Sequence, residues 1–322
     1  MRIIILGTGA IGGALAVELV RSGAEVLCVA RGAQLEAIRS RGLRLQAPGM
    51  DVTAQVPVVA HPSEVDFRAD DMILLCMKTQ HTVAALEDLA AAGVMEQPIF
   101  CLQNGVTNER MALRRFPNVH GVLVMVPATL VEPGHVAVFS TPKLGILDVG
   151  RYPAGSDAAD AALVERLQAT RLAAFVDRDV ITGKYGKLLV NLNNIVEAIL
   201  GRGVEVPEIK AALKAEAEAV LTAAGTAWRK ADSSDPRRDA FLNVTEIEGV
   251  SRIGGSTTQS LMRGAGSVET DYLNGEIVLM ARMHGVPAPV NERICRIASA
   301  MARAREKPGA LDAKMLMRKL GL

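Results

Sequence analysis

Four apolar residues, Ile3 to Leu6, run directly into Gly7-Thr8-Gly9-Ala10-Ile11-Gly12, and a helical pattern continues from Ala10 to Arg21. A glycine cluster wedged between a strand and a helix is compatible with few folds. Gly7 permits a tight turn, Gly9 lets a ligand come close to the backbone, and Gly12 lets the helix pack tightly on the strand. The start of the helix then offers free N–H groups and a partial positive charge to an anion. In this context the spacing reads as a dinucleotide-binding turn, with Gly7, Thr8, Gly9, Ala10, Ile11 and Gly12 as cofactor-binding residues. A glycine-rich turn without a ligand is the alternative.

The segments that follow support an α/β reading. Glu25 to Ala30, Met72 to Met77, Ile99 to Leu102 and Val122 to Val126 are apolar runs of strand length, separated by helical stretches such as Thr82 to Ala91. Continuous rather than alternating apolar strands suit a parallel sheet covered on both faces, the mark of a doubly wound Rossmann-type domain. After Pro133-Gly134 the pattern is less regular, with strand candidates at Val136 to Phe139, Leu144 to Val149 and Ala173 to Val176. From Asp179 helical periodicity dominates, as in Gly186 to Leu200, Glu208 to Ala224 and Val268 to Met283, while Ser233 to Arg238 has the look of an exposed loop. Residues 1–178 are therefore expected to form the NADP-binding Rossmann-type domain, and 179–322 an all-α C-terminal substrate and catalytic domain.

The second strand ends at Val29-Ala30-Arg31. A site selective for NAD places an acid there for the ribose 2′-hydroxyl, whereas an arginine can pair with a 2′-phosphate and stack on adenine. Glu25, the nearest acid, lies at the other end of the strand. NADP(H) is the expected cofactor, with Arg31 as its phosphate partner; a plain surface arginine is the alternative. The net charge of +1 gives no reason to expect a nucleic-acid partner or an anionic membrane. No apolar run approaches the roughly 18 residues of a membrane span, and the N-terminus lacks the form of a signal peptide. The four cysteines are widely spaced, and a cytoplasmic location is expected. Five scattered histidines and no paired cysteines give no metal-ligand spacing, so no metal is expected. Ala- and Met-rich C-terminal helices are compatible with a homodimer.

Lys187, Asn191 and Asn194 fall at i, i+4 and i+7, which places them on one face of a helix. Leu188, Leu189, Val190, Leu192, Ile195 and Val196 make that helix apolar nearly all round. A buried lysine or amide without a partner is costly, so the stripe needs a ligand or, alternatively, loop carbonyls at a domain interface.

The ordered set GTGAIG, Arg31, Met77-Lys78-Thr79-Gln80, Gln103-Asn104-Gly105, Lys187-x3-Asn191 and Val268-Glu269-Thr270-Asp271-Tyr272 resembles the 2-dehydropantoate 2-reductase (ketopantoate reductase) family over essentially the whole chain. The resemblance implies reduction of a 2-oxo acid by NADPH, with 2-dehydropantoate to pantoate, a step of pantothenate biosynthesis, as the best candidate. It implies that Lys187 is the catalytic lysine, which protonates the keto oxygen. Asn104 is implied at the nicotinamide and substrate, Lys78 beside the cofactor, and Asn191 at the substrate, with Asn194 as a further substrate-side amide. Glu269 is implied near both the cofactor and the lysine, where a carboxylate favours the charged ammonium. The family's serine pair corresponds to Ser256-Thr257, with Thr257 a substrate-binding hydroxyl. The chain departs from the family pattern at Ile195, where a second asparagine is common, and at Tyr185, where a tryptophan is usual. An isoleucine there suggests a more apolar pocket wall and a different 2-oxo acid. An imine substrate and a non-catalytic dinucleotide sensor are the remaining alternatives.

Overall fold

A computed structural model of the chain describes residues 1–231, 234–264 and 266–322. The described residues of Met1–Asn104, Asn108–Ile181 and Ser233–Arg252 make one compact unit, and those of Gly105–Thr107, Thr182–Asp232 and Ile253–Leu322 a second.

The first unit opens with β1 (Arg2–Leu6), α1 (Ala10–Arg21), β2 (Val26–Val29) and α2 (Gly32–Arg41), followed by a hairpin of β3 (Leu43–Ala47) and β4 (Met50–Ala54). After β5 (Val58–Val59) and β6 (Asp71–Leu75) come α3 (Thr82–Ala91), β7 (Ile99–Cys101), α4 (Asn108–Leu113) and β8 (Val119–Met125). Next are β9 (Ala128–Glu132), β10 (His135–Val138), β11 (Ser140–Pro142), β12 (Gly145–Arg151), α5 (Ala158–Gln168) and β13 (Leu172–Val176). A last strand, β14 (Leu242–Val244), returns from much later in the chain.

Eight strands form the main sheet in the order β13-β12-β8-β7-β6-β1-β2-β5. Every neighbouring pair is parallel except β8 and β12, which run antiparallel. The long apolar runs are explained by burial on both faces. Ile3 and Ile5 of β1 join a core beneath α1 and α5, whereas Ile4 and Leu6 join a separate core with Leu86 and Leu89 of α3. Met72 and Leu74 against Ile73 and Leu75 repeat the division in β6. The first core also takes in Leu43, Leu45, Val136 and Val138 from a four-stranded sheet, β4-β3-β10-β9, that covers α1. The sheet's order reverses at β1, which has β2 on one side and β6 on the other. Such a reversal is where open α/β sheets bind ligands.

The second unit is built from helices. They are α6 (Val180–Asn191), α7 (Asn194–Leu200) and α8 (Pro207–Ala223), then, beyond the short α9 (Arg237–Phe241) of the first unit, α10 (Ser256–Met262), α11 (Asn274–His284), α12 (Pro289–Ala304) and α13 (Ala313–Leu320). Its core draws Leu188 and Leu192, Ile199, Leu213, Ile277, Ile294, Leu316 and Leu320 into one cluster. The tail is part of this core, because α13 is capped by the Asp312 side chain on the Met315 N–H and buries Leu316 and Leu320.

One segment departs from the sequence expectation. Ser233 lies outside the described residues, but Arg237, expected in an exposed loop, begins α9. Its guanidinium makes two hydrogen bonds to Asp148 of β12, at 2.6 and 2.9 Å, binds Asp235 at 2.7 Å and sits 5.1 Å from the centre of the Phe175 ring. β14 then pairs antiparallel with β11. The helical region is thus interrupted by a piece of the sheet unit, an arrangement that local periodicity does not record.

Candidate active site

The glycine turn follows β1 at the sheet's switch point. Gly7 has φ +93°, a left-handed conformation that a side chain would strain, and a Cβ there would lie 2.7 Å from the Met77 nitrogen. A Cβ on Gly12 would strike the Gly7 carbonyl oxygen and come within 2.9 Å of the Cys76 Cβ. Around Gly9 a Cβ would meet no atom within 4 Å, so open space faces the backbone where the pyrophosphate of a dinucleotide would lie. Gly9 caps α1 without a side-chain hydrogen bond, and the first turn, with Ala10 and Ile11, carries no acid. Thr8 is buried, and its Oγ1 has no hydrogen-bond partner among the described residues. These features fit an anionic ligand at the helix start.

The neighbouring strand ends share this edge of the sheet. Leu6 pairs with Val29 and with Leu75, and Leu75 with Cys101. The residues just beyond those strands are therefore brought to one side of the sheet: Arg31 after β2, Lys78 after β6, and Gln103 and Asn104 after β7. Arg31 is 65% exposed and its Nη2 donates to Asp88 Oδ2 at 2.9 Å. Glu25 instead pairs with Arg68 at the opposite end of β2. Lys78 is half-buried at the start of a short 3-10 turn, Thr79–His81, and His81 is exposed.

Sequence reading missed the amides that hold these loops. Asn108, fully buried, donates from Nδ2 to Thr79 Oγ1 and to the Asn104 carbonyl, both at 3.2 Å. Its Oδ1 accepts from Thr82 Oγ1 at 2.8 Å, and Gln103 Nε2 donates to the same Thr82 hydroxyl at 3.2 Å. This network ties the Lys78 loop to the Asn104 loop. Gln34 acts similarly on the glycine turn, donating to the Thr8 carbonyl at 2.6 Å and accepting the Gly134 N–H at 2.9 Å. A sequence signal existed for neither, because both residues act across long separations.

In the second unit, Lys187 and Asn191 stand one turn apart on α6, as the spacing predicts. Asn194 lies past the end of that helix. α6 ends at Asn191, the Asn193 N–H bonds back to the Val190 carbonyl at 3.3 Å, and Asn194 opens α7. This i to i+3 bond interrupts the i to i+4 ladder, so the seven-residue spacing crosses the junction between two helices. Asn194 instead faces the start of α10, its Oδ1 3.6 Å from where a Cβ on Gly255 would be. Glu197 Oε1 accepts the Gly255 N–H at 2.8 Å and lies 3.4 Å from Thr258 Oγ1, fixing the entry to the helix that carries Thr257. Ile195 is 1% exposed and belongs to the apolar core, so it is packing rather than the pocket wall expected from the sequence. Glu269 is buried at the start of the 3-10 turn Glu269–Tyr272.

Two of these residues carry unmet hydrogen-bonding capacity. Asn191 is 8% exposed and its Nδ2 has no partner; Thr257 is 2% exposed and its Oγ1 has none, among the described residues. Buried polar atoms left this way are uncommon and costly. Lys184, one turn before Lys187, is also buried and was not singled out in the sequence. A chain of amides supports the bend. Asn274 Nδ2 donates to the Leu192 carbonyl at 3.2 Å and to Asn291 Oδ1 at 3.1 Å. Asn291 Nδ2 donates in turn to the Leu213 carbonyl and to Glu216.

The remaining reactive groups are committed elsewhere. His120, Asp157 and Asp160 are close enough together to hold a metal ion, but they form a helix cap. The two carboxylates exchange backbone hydrogen bonds at the start of α5, His120 Nδ1 binds Asp160 at 2.7 Å, and Arg151 binds Asp157. The cysteines are free, and burial pushes the thiols of Cys28 and Cys76 far up, which leaves them unreactive.

The family model described as ketopantoate reductase PanE/ApbA matches residues 3–153, and its C-terminal counterpart matches 179–302. A 2-dehydropantoate 2-reductase of Pyrococcus abyssi is 26% identical over 294 residues, 90% of this chain and 94% of that protein. The crystal structure of a PanE/ApbA family ketopantoate reductase from Ralstonia eutropha JMP134 superposes with a TM-score of 0.78 at 28% identity, covering 95% of this chain and 100% of the other. A D-mandelate dehydrogenase solved with NADH and anilino(oxo)acetate shares the fold, with a TM-score of 0.79 at 24% identity and the same coverage. Among the described residues, no helix is long and apolar enough to cross a membrane. With its sheet half and its helical half both matched in order, the chain belongs to the ketopantoate reductase PanE/ApbA family of oxidoreductases.

Proposed function

We propose that this protein reduces a 2-oxo acid to the 2-hydroxy acid with NADPH, in the cytoplasm, and that 2-dehydropantoate is the substrate. The observation that carries the reading is the pair of unpartnered polar atoms on Asn191 and Thr257. A carboxylate or keto oxygen accepts from the amide Nδ2, and the hydroxyl serves a second substrate oxygen. The division into a nucleotide-binding domain, residues 1–178, and a catalytic domain, 179–322, belongs to the same proposal.

The glycine turn and the first N–H groups of α1 would hold the pyrophosphate, with Lys78 and Asn104 beside the nicotinamide and Arg31 at the 2′-phosphate. When bound, the cofactor supplies the hydride. Lys187 donates a proton to the keto oxygen and stabilises the charge that develops there. Asn191, with Asn194 and Thr257, orients the acid, and Glu269 favours the ammonium form of Lys187. The test is oxidation of NADPH by the purified chain against a panel of 2-oxo acids that includes 2-dehydropantoate. Turnover with 2-dehydropantoate well above the rest is the expected result. NADPH binding with no oxidation by any 2-oxo acid would sink the reading.

A second reading keeps the chemistry and changes the acid. The sequence favours it, since an isoleucine stands at 195, where the family commonly has an asparagine, and one amide of the family pattern is missing. It predicts preferred turnover of a bulkier apolar 2-oxo acid in the same panel.

A further inference from the structure

At the end of β2, the Arg31 guanidinium is already engaged. Its partner is not on its own loop: Asp88 comes from α3, the helix that follows the Lys78 loop, and its Oδ2 lies 2.9 Å from Arg31 Nη2. His61, just beyond β5, brings Nε2 to 3.3 Å from the same oxygen. The tautomer of this histidine follows from its other nitrogen. His61 Nδ1 accepts the Ser63 N–H at 3.2 Å, so in the neutral ring the proton sits on Nε2 and faces the carboxylate. Asp88 is thus held from two sides, 27% exposed, and its charge lies against Arg31.

The two nicotinamide cofactors meet this arrangement differently. A 2′-phosphate brings close to two negative charges and needs the guanidinium, so it must either draw Arg31 away from Asp88 or share it beside a carboxylate. A 2′-hydroxyl makes neither demand. Building on the assignment of Arg31 to the 2′-phosphate made above, we propose that Asp88 is a specificity-determining positioning residue. It competes with the 2′-phosphate for Arg31 and compresses the preference for NADPH over NADH, so that the chain accepts both.

Dissociation constants for NADPH and NADH, read from nicotinamide fluorescence, test this in the full chain and in Asp88→Asn, Arg31→Ala and the double variant. Asp88→Ser, which removes the charge on a smaller side chain, is measured alongside in case the asparagine disturbs folding. NADH binding reports in each case that the site is intact. Asp88→Asn should tighten NADPH about fivefold, the scale of one exposed ion pair, and leave NADH unchanged. In the Arg31→Ala background that gain should vanish. If Arg31→Ala leaves the ratio of the two constants untouched, the assignment of Arg31 falls and this proposal with it. If Arg31→Ala collapses the ratio but Asp88→Asn and Asp88→Ser fail to raise it, Arg31 keeps its role and the Asp88 proposal is overturned. A gain that persists undiminished without Arg31 overturns it as well, since the competition would not be for that guanidinium.

Discussion

The two units prepare for ligands by different means. In the sheet unit the groups proposed to face a ligand are mainly backbone: the N–H groups at the start of α1, the open surface at Gly9, and a turn fixed by the positive φ of Gly7. In the helical unit the proposed groups are side chains, Lys187 and Asn191 in the C-terminal half of α6 and Thr257 in the first turn of α10, with the Asn274–Asn291–Glu216 chain meeting the backbone just after α6. A backbone site comes with the fold and reads what all dinucleotides share. A side-chain site can change its reading by substitution without disturbing the fold. A fold shared with both a ketopantoate reductase and a D-mandelate dehydrogenase fits that difference.

The contrast can be broken at either end, and the largest effect is expected in the helical unit. Lys187→Ala should lower kcat about a thousandfold, as loss of a general acid does, while the dissociation constant for NADPH stays put. Unchanged turnover would remove the proton donor from the scheme. Gly12→Ala should do the reverse. Its methyl collides with the Gly7 carbonyl, and NADPH affinity should fall about a hundredfold or the unit should lose stability, by about 1–3 kcal/mol, as overpacking does. Calorimetry with and without cofactor separates these outcomes, and wild-type behaviour in both would mean the turn is not tightly constrained.

Smaller changes sharpen the contrast. Asn274→Ala removes the donor to the Leu192 carbonyl beside the bend, and should cost about 1–3 kcal/mol of stability. Its kcat should fall several-fold with NADPH binding unchanged, whereas an equal loss in both would make the amide chain a general scaffold. The smallest effect concerns acid. The hydrogen bond from Arg237 holds the Asp235 carboxyl below its ordinary value, so the unfolded chain binds this proton more tightly than the folded one. The stability it contributes is in place above the ordinary carboxylate value of about 4 and is lost as pH falls through that value toward the lowered one. Asp235→Asn should therefore flatten the acid side of a plot of Tm against pH by a few degrees.

What could be read from the sequence follows the same divide. The glycine turn, α1 and the double-sided strands announce themselves locally, because conformation and periodicity are properties of neighbouring residues. Gly285 ends α11 in the left-handed conformation, φ +66°, that glycine accepts readily. The Lys187 to Asn191 spacing was legible for the same reason. The junction that puts Asn194 on α7 was not, since the break at 192–193 leaves no mark that spacing can detect. Asn108, Gln34 and Asn274 were invisible because they act between residues far apart in the chain. Asp88 was unremarkable as one acid on a helix, and its importance depends on α3 lying across from the end of β2. The β8–β12 antiparallel pair and the hairpin over α1 likewise depend on tertiary packing that short windows do not encode.

Arg237 also bears on the order in which the molecule is made. Asp148 is almost fully enclosed in β12, and its countercharge is encoded 89 residues later. A buried carboxylate deprived of its partner carries a penalty of about 3–5 kcal/mol. A ribosome that has released the first thirteen strands has therefore delivered a sheet that is electrostatically incomplete. The nascent chain must extend through three helices of the other unit before α9 and β14 can finish it. A gene fragment cut where the sheet pattern first gives way to helices would leave Asp148 without its countercharge.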